Sequence, residues 1–239
     1  MATRAGHRIT TVARDRAFFF AMAMAIVLTT LSGFVLQFVA GRSTLAAPWW
    51  VHLHGITAVG WLAIFAAQNY LVFRGAIGSH RTLGWVASLY LGWMVAVGLT
   101  VTTLTTMTHR IPFFFEPNIF MVMDYLTVLV FAGLTLAGVA LRDHADWHRR
   151  LMLCGAILVM TPGVGRLLPL PVLGTWILWS IWLVMALYVG VAMTFDLVTR
   201  GRVHPAYLWG FGTITTAIAL MRPIAFSPPV LALTKTLMG

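Results

Sequence analysis

The sequence predicts an all-α, seven-helix transmembrane bundle with a cytoplasmic N-terminus. Three observations predict it. The chain of 239 residues is 60% hydrophobic and 9% charged, with a mean hydropathy of +0.89. It contains seven apolar runs long enough to cross a hydrocarbon core of about 30 Å, which needs roughly 20 residues per helix. Its arginines gather in alternate links between those runs. Soluble domains carry about 25% charged residues, and so few charges could not cover a water-facing surface. A disordered chain would not be this apolar. The single cysteine, Cys154, excludes an intrachain disulfide and a cysteine-only metal cage.

The spans are read as 17–40, 49–73, 82–107, 118–141, 147–170, 173–197 and 205–225, all within one integral membrane domain, 1–239. Residues 1–16 form a basic cytoplasmic arm, and 227–239 form a tail outside the membrane. The first span follows Arg4, Arg8, Arg14 and Arg16, as in a signal peptide. Its length exceeds an h-region of roughly 7–15 residues, so it reads as a retained helix.

Orientation follows from the basic residues. With the N-terminus inside, Arg4, Arg8, Arg14, Arg16, Arg74, Arg81, Arg142, Arg149, Arg150, Arg200 and Arg202 fall on the cytoplasmic side. Arg42, Arg110, Arg166, Arg222 and Lys235 fall outside. The net charge of +10 therefore reads as topology plus attraction to anionic membrane lipids, with no role in binding nucleic acid. The expected location is a bacterial inner membrane.

Two links share a pattern. Arg74-Gly-Ala-Ile-Gly-Ser-His80-Arg81 and Arg142-Asp-His-Ala-Asp-Trp-His148-Arg149 both read Arg, five residues, His, Arg, at a constant offset of 68 residues. The hairpins 49–107 and 118–170 then read as two parallel repeats related by an axis along the membrane normal. Helices two to five would form an up-down-up-down four-helix bundle, with 173–225 supplying helices six and seven. On its diagonal, His80 and His148 would meet at equal depth, a way to hold haem iron from both sides. Arg81 and Arg149 could pair with haem propionates. His144, four residues before His148, is a substitute ligand or a supporting partner. Ser79 is a plausible helix cap, and Gly84 would admit a flat macrocycle or a neighbouring helix. The plainer reading makes these histidines anchors at the headgroups, and a bare metal ion on His80 and His148 is a third.

Towards the outer side, His54 and Asp124 sit at similar depths on helices two and four, and Arg166 lies near the outer end of helix five. An Asp inside an apolar span costs roughly 2.5–3.5 kcal/mol on insertion scales and normally faces a partner or a wet cavity. His52 and His54 point about 200° apart, so at most one faces inward. His54 is favoured because Trp61 and Gln68 follow it at intervals of seven. Pro162, Gly163 and Gly165 break helix five. His54, Gln68, Asp124 and Arg166 thus outline an outer pocket suited to a quinone. An Asp124–Arg166 ion pair that only fixes helix packing is the simpler alternative.

His52/His54, Gln68, His80-Arg81-x-x-Gly84 and His148-Arg149-Arg150-x-Met152 resemble a family of uncharacterised bacterial multi-pass membrane proteins, over about residues 49–170. That resemblance implies fold and location but no settled activity. More distantly, His80-Arg81-x-x-Gly84 is similar to the haem-binding elements of membrane haem-a synthases and b-type cytochromes. It implies a haem b bound at His80.

The favoured function is therefore a b-type haem protein in membrane electron transfer, with a quinone or a redox partner protein. One rival is a cofactor-free transporter or a structural or lipid-binding membrane subunit. A zinc-dependent membrane hydrolase, with His80, His144 and His148 as ligands, is another.

Overall fold

The computed structural model describes residues 2–239, with side chains from Val12 onward. Among the described residues every regular element is helical. Helix α1 (Ala2–Val39) runs back from the apolar stretch through the basic arm; the side chains of Arg4 and Arg8 lie outside the described residues. Helix α2 (Trp49–Phe73) opens after Pro48, whose ψ of 151° is extended. Helix α3 (Ile77–Met107) begins five residues before the expected start. A turn through Gly75 at φ +77° lets the helix resume at once. Ser79 therefore lies inside the first turn and caps nothing.

Helix α4 (Pro117–Ala140) has proline at its first position, where the missing N–H costs nothing. The fifth span is two helices, α5 (Ala145–Val159) and α6 (Thr161–Leu167), bent by 43°. Pro162 lacks the N–H that would continue the ladder. Glycine supplies the second cause. A Cβ on Gly163 would lie 2.5 Å from Thr30 Cα, and one on Gly33 would strike the Gly163 carbonyl. Helices α1 and α6 therefore cross backbone to backbone, the close approach that small residues permit in membranes.

A short α7 (Leu170–Leu173) and a 3₁₀ turn (Gly174–Trp176) lead into α8 (Ile177–Arg200). Gly201 ends α8 at φ +70°, the left-handed position glycine commonly fills after a helix. Helix α9 (Pro205–Ala225) is capped by His204, whose Nδ1 accepts from the Ala206 N–H at 3.2 Å. The expected tail is instead a further helix, α10 (Pro228–Met238), turned 70° from α9. It packs across α3 and α4. Among the described residues five helices are long and apolar enough to cross a membrane, or up to seven if each bent pair is one span. The chain is a multi-pass, membrane-type helical protein.

Packing runs α1–α2–α3–α4–α5 and back to α1. A closed four-helix bundle of α2 to α5 would bring α5 onto α2. In the structure α1 stands between them and touches both. Across this five-helix ring, Trp61 of α2 meets Phe131 of α4 edge-on at 5.1 Å, and His80 of α3 meets His148 of α5. Helices α8 and α9 complete the molecule, with α9 against α4 and α5. Hydrogen bonds between spans add direction to this packing. Tyr90 donates to the Thr57 carbonyl at 2.9 Å, and Trp93 Nε1 to Thr57 Oγ1 at 3.0 Å. Thr29 and Tyr188 hydroxyls meet at 2.5 Å between α1 and α8.

Candidate functional site

One end of the bundle holds the α2–α3, α4–α5 and α8–α9 links together with the first described turns of α1. His80 sits one turn into α3, and His148 lies in the first turn of α5. Their ring centroids are 6.2 Å apart with planes at 78°. Each ring is held by its Nδ1. His148 Nδ1 lies 2.8 Å from the Gly138 carbonyl of α4. His80 is held by Gln68 from α2. In the orientation its neighbours dictate, the amide nitrogen of Gln68 lies 2.5 Å from His80 Nδ1 and 3.0 Å from the His80 carbonyl. Its oxygen accepts from the Gly84 N–H at 2.9 Å.

Gln68 thus belongs to the histidine end, not with His54 in an outer pocket. Fourteen residues at 1.5 Å rise separate it from His54 by about 21 Å along the helix, which carries it across most of the span. Gly84 leaves room here for the Gln68 side chain, 3.7 Å from where a Cβ would lie.

A carbonyl holding Nδ1 is the usual second partner of a metal-binding imidazole. Bonds of about 2.0–2.1 Å from an ion to imidazole nitrogen put the centroids of two flanking rings roughly 6 Å apart. The spacing of His80 and His148 therefore fits two ligands on a shared ion, and His148 has the matching carbonyl partner, but at His80 an amide nitrogen stands where that carbonyl would be. The third histidine does not join them. His144 is exposed and precedes α5, and its carbonyl accepts the His148 N–H at 3.0 Å. No group of three or more His, Cys, Asp or Glu side chains suited to a metal ion gathers among the described residues. The zinc set His80, His144 and His148 is thus not assembled.

The arginines expected at the rim differ in fate. Arg81 is exposed. Arg149 is engaged by Asp15 at 2.8 Å and by Asp146. It belongs to a cluster of three arginines and three aspartates that joins α1, α5 and α8. Arg150 donates through Nε and Nη2 to Asp196 at 2.8 and 2.6 Å, and both side chains are 0% exposed. Arg150 also donates to the Asp146 carbonyl at 2.9 Å. Arg200 pairs with Asp196 at 2.9 Å and with Asp15. The Tyr207 ring faces the Arg150 guanidinium at 5.6 Å, and the His204 N–H lies 3.3 Å from Asp196. Burial, then the Arg150 charge, lowers the His204 pKa below its usual 6.5.

Charge balance makes this burial tolerable, because each buried ion has opposite partners and directed hydrogen bonds. Sequence reasoning missed the cluster, although a signal existed. Asp196 lies within an apolar span just as Asp124 does, and Arg150 directly follows Arg149.

At the other end, His54, Asp124 and Arg166 are joined by no hydrogen bond or ion pair among the described residues. Asp124 accepts from Thr102 Oγ1 at 3.4 Å. Arg166 turns towards α1, its guanidinium 4.0 Å from the Phe34 ring centroid. It also donates to the Pro162 carbonyl at 2.8 Å. That bond lies within α6, four residues back along the same helix. The expected Asp124–Arg166 ion pair is not formed, and His54 is exposed. An open groove of about 600 Å³, lined by Leu71, Gly78, Ser79, Thr82, Leu83 and Val86, lies between α2 and α3. At 100° per residue Gly78, Thr82 and Val86 point well away from His80, while Leu83 lies on its face. Comparison with protein-family models, curated proteins and solved structures found no match to this chain.

Proposed function

We propose that His80 and His148 would hold a haem b, and that the protein transfers electrons in a bacterial inner membrane. The observation that carries this reading is the imidazole pair, 6.2 Å between centroids, with His148 Nδ1 held by the Gly138 carbonyl. A bound haem supplies one-electron chemistry. The chain's own residues orient the two rings and surround them with apolar helices. Arg81, exposed at the histidine end, is the residue available to a propionate. Arg149 is engaged with Asp15 and Asp146. With the N-terminus in the cytoplasm, the pair sits on the cytoplasmic side. His54, Asp124 and Arg166 would then serve a quinone on the opposite side, and a redox partner protein would accept or deliver electrons.

The experiment is an optical spectrum of protein purified from haem-replete cells. A Soret band lost in both His80→Ala and His148→Ala is the expected result. A colourless protein of normal fold would overturn the reading.

A second reading, a cofactor-free transporter or a structural or lipid-binding subunit, is favoured by one observation. The Gln68 amide nitrogen, not its oxygen, faces His80 Nδ1. That contact keeps the proton on Nε2, the nitrogen a ligand would need bare.

A further inference from the structure

We infer that Gln68 is a positioning residue that sets the tautomer of His80 opposite to that of His148. This rests on reading the histidine pair as the functional centre. The argument is one of hydrogen-bond valence. A main-chain carbonyl can only accept and a main-chain N–H can only donate. The His80 carbonyl and the Gly84 N–H therefore hold the Gln68 amide from both ends, its nitrogen towards the first at 3.0 Å and its oxygen towards the second at 2.9 Å. The same nitrogen lies 2.5 Å from His80 Nδ1. Nδ1 must then accept, and the ring proton resides on Nε2.

His148 is the reverse case. Its Nδ1 lies 2.8 Å from the Gly138 carbonyl, which can only accept, so Nδ1 carries the proton and Nε2 is bare. One ring of the pair is thus a donor at Nε2 and the other an acceptor. For both rings to bind one ion, His80 must move its proton from Nε2 to Nδ1, and the Gln68 amide must turn its oxygen to meet it. The turn breaks the contacts to His80 O and Gly84 N. Gln68 therefore opposes occupation of the pair by adventitious ions and yields only to a ligand that repays the rotation.

The test uses the full chain in lipid nanodiscs, labelled with ¹⁵N-histidine and free of metal. Long-range ¹H–¹⁵N correlation reports which ring nitrogen bears the proton, with His80→Gln and His148→Gln assigning the signals. The expected result is protonated Nε2 on His80 and protonated Nδ1 on His148. Gln68→Glu, whose carboxylate can only accept, should place a proton on His80 Nδ1. It should also tighten ferric haem binding by roughly tenfold or more, within the 10–100-fold range typical of outer partners of metal ligands. Gln68→Met, close in size and without a strong donor or acceptor, should give a mixture of His80 tautomers, which keeps the inference testable if the Glu variant misfolds.

A proton on His80 Nδ1 in the parent protein, or a His80 tautomer unchanged in both variants, would overturn the inference. Because the tautomers are read without haem, the two failures are separate. A coloured protein with unchanged tautomers overturns only the role of Gln68. A colourless one with the expected tautomers overturns only the haem.

Discussion

Replacing Asp196 by alanine should be among the most damaging single changes in this chain. The carboxylate accepts from Arg150 Nε and Nη2, at 2.8 and 2.6 Å, and from Arg200 at 2.9 Å. Arg150 and Asp196 are both fully buried. Removing one partner of such a pair costs about 3–5 kcal/mol, because the remaining charge stays desolvated. Arg150 would keep only Asp146, through its carbonyl and a 3.4 Å contact with its carboxylate. Arg150→Met should cost less, since Arg200 still neutralises Asp196. The double variant Arg150→Met/Asp196→Leu should recover much of the loss, as buried pairs replaced by apolar groups often do.

The chain carries its own reporter. Cys154 is the single cysteine and is fully buried, so a thiol-reactive fluorophore reads unfolding directly in detergent. At about 2–4 °C per kcal/mol for a chain of this size, Asp196→Ala should lower Tm by roughly 6–20 °C. A shift below about 2 °C, or single effects that simply add in the double variant, would refute the claim that this pair is coupled and dry.

Two further outcomes follow from the packing and the links. Gly163→Val places side-chain atoms where Thr30 backbone lies, 2.5 Å from Cα and 2.7 Å from the carbonyl oxygen; α1 and α6 must separate, and a Tm loss of several degrees or failure to accumulate as a monodisperse species is expected. Gly92→Val, at a position with open space around it, serves as the control and should be close to neutral. His204 is held below its usual pKa of 6.5, first by burial and then by the Arg150 charge, against opposition from Asp146 and Asp196. The folded protein thus resists a proton that the unfolded chain accepts. Its contribution to stability is complete above pH 6.5 and declines as pH falls towards the lower folded value. Tm should drop between pH 7 and pH 5.5, and His204→Asn, which can still cap α9, should show a smaller drop.

Much of the fold was legible because hydrophobic run length alone marks a span. Helix α2 has the bounds its apolar run predicts, and Pro162 announces the bend between α5 and α6. The start of α3 was less visible, since Ser79 looks like a cap while a single glycine turn is enough to restart the helix at Ile77. The helix at 228–238 was hidden because its short apolar stretch cannot cross a membrane, and its pattern suits a surface of the protein as well as a tail. At the site, a shared offset of 68 residues anticipates that His80 and His148 face one another. The Gln68 contact escaped notice because a heptad stripe on α2 suggests continuity of face, whereas its length carries the last member to the opposite end. The arginine–aspartate cluster escaped for another reason. The pairs within one helix are three or four residues apart, but those that join the helices are separated by 46, 134 and 185 residues, and no local pattern links charges so far apart.

Those separations impose an order on biogenesis. The ribosome delivers α1 first, yet Asp15 finds Arg149 only after 134 further residues and Arg200 only after 185. Throughout translation of the central spans, the leading helix carries an aspartate whose native partners in α5 and α8 do not yet exist. A nascent chain halted before Asp196 therefore leaves Arg150 without its buried carboxylate and Asp15 without one of its two guanidinium partners. Because α8 brings one aspartate and one arginine, its arrival leaves the net charge of the cluster unchanged and closes the pairs that tie α1 and α5 to it.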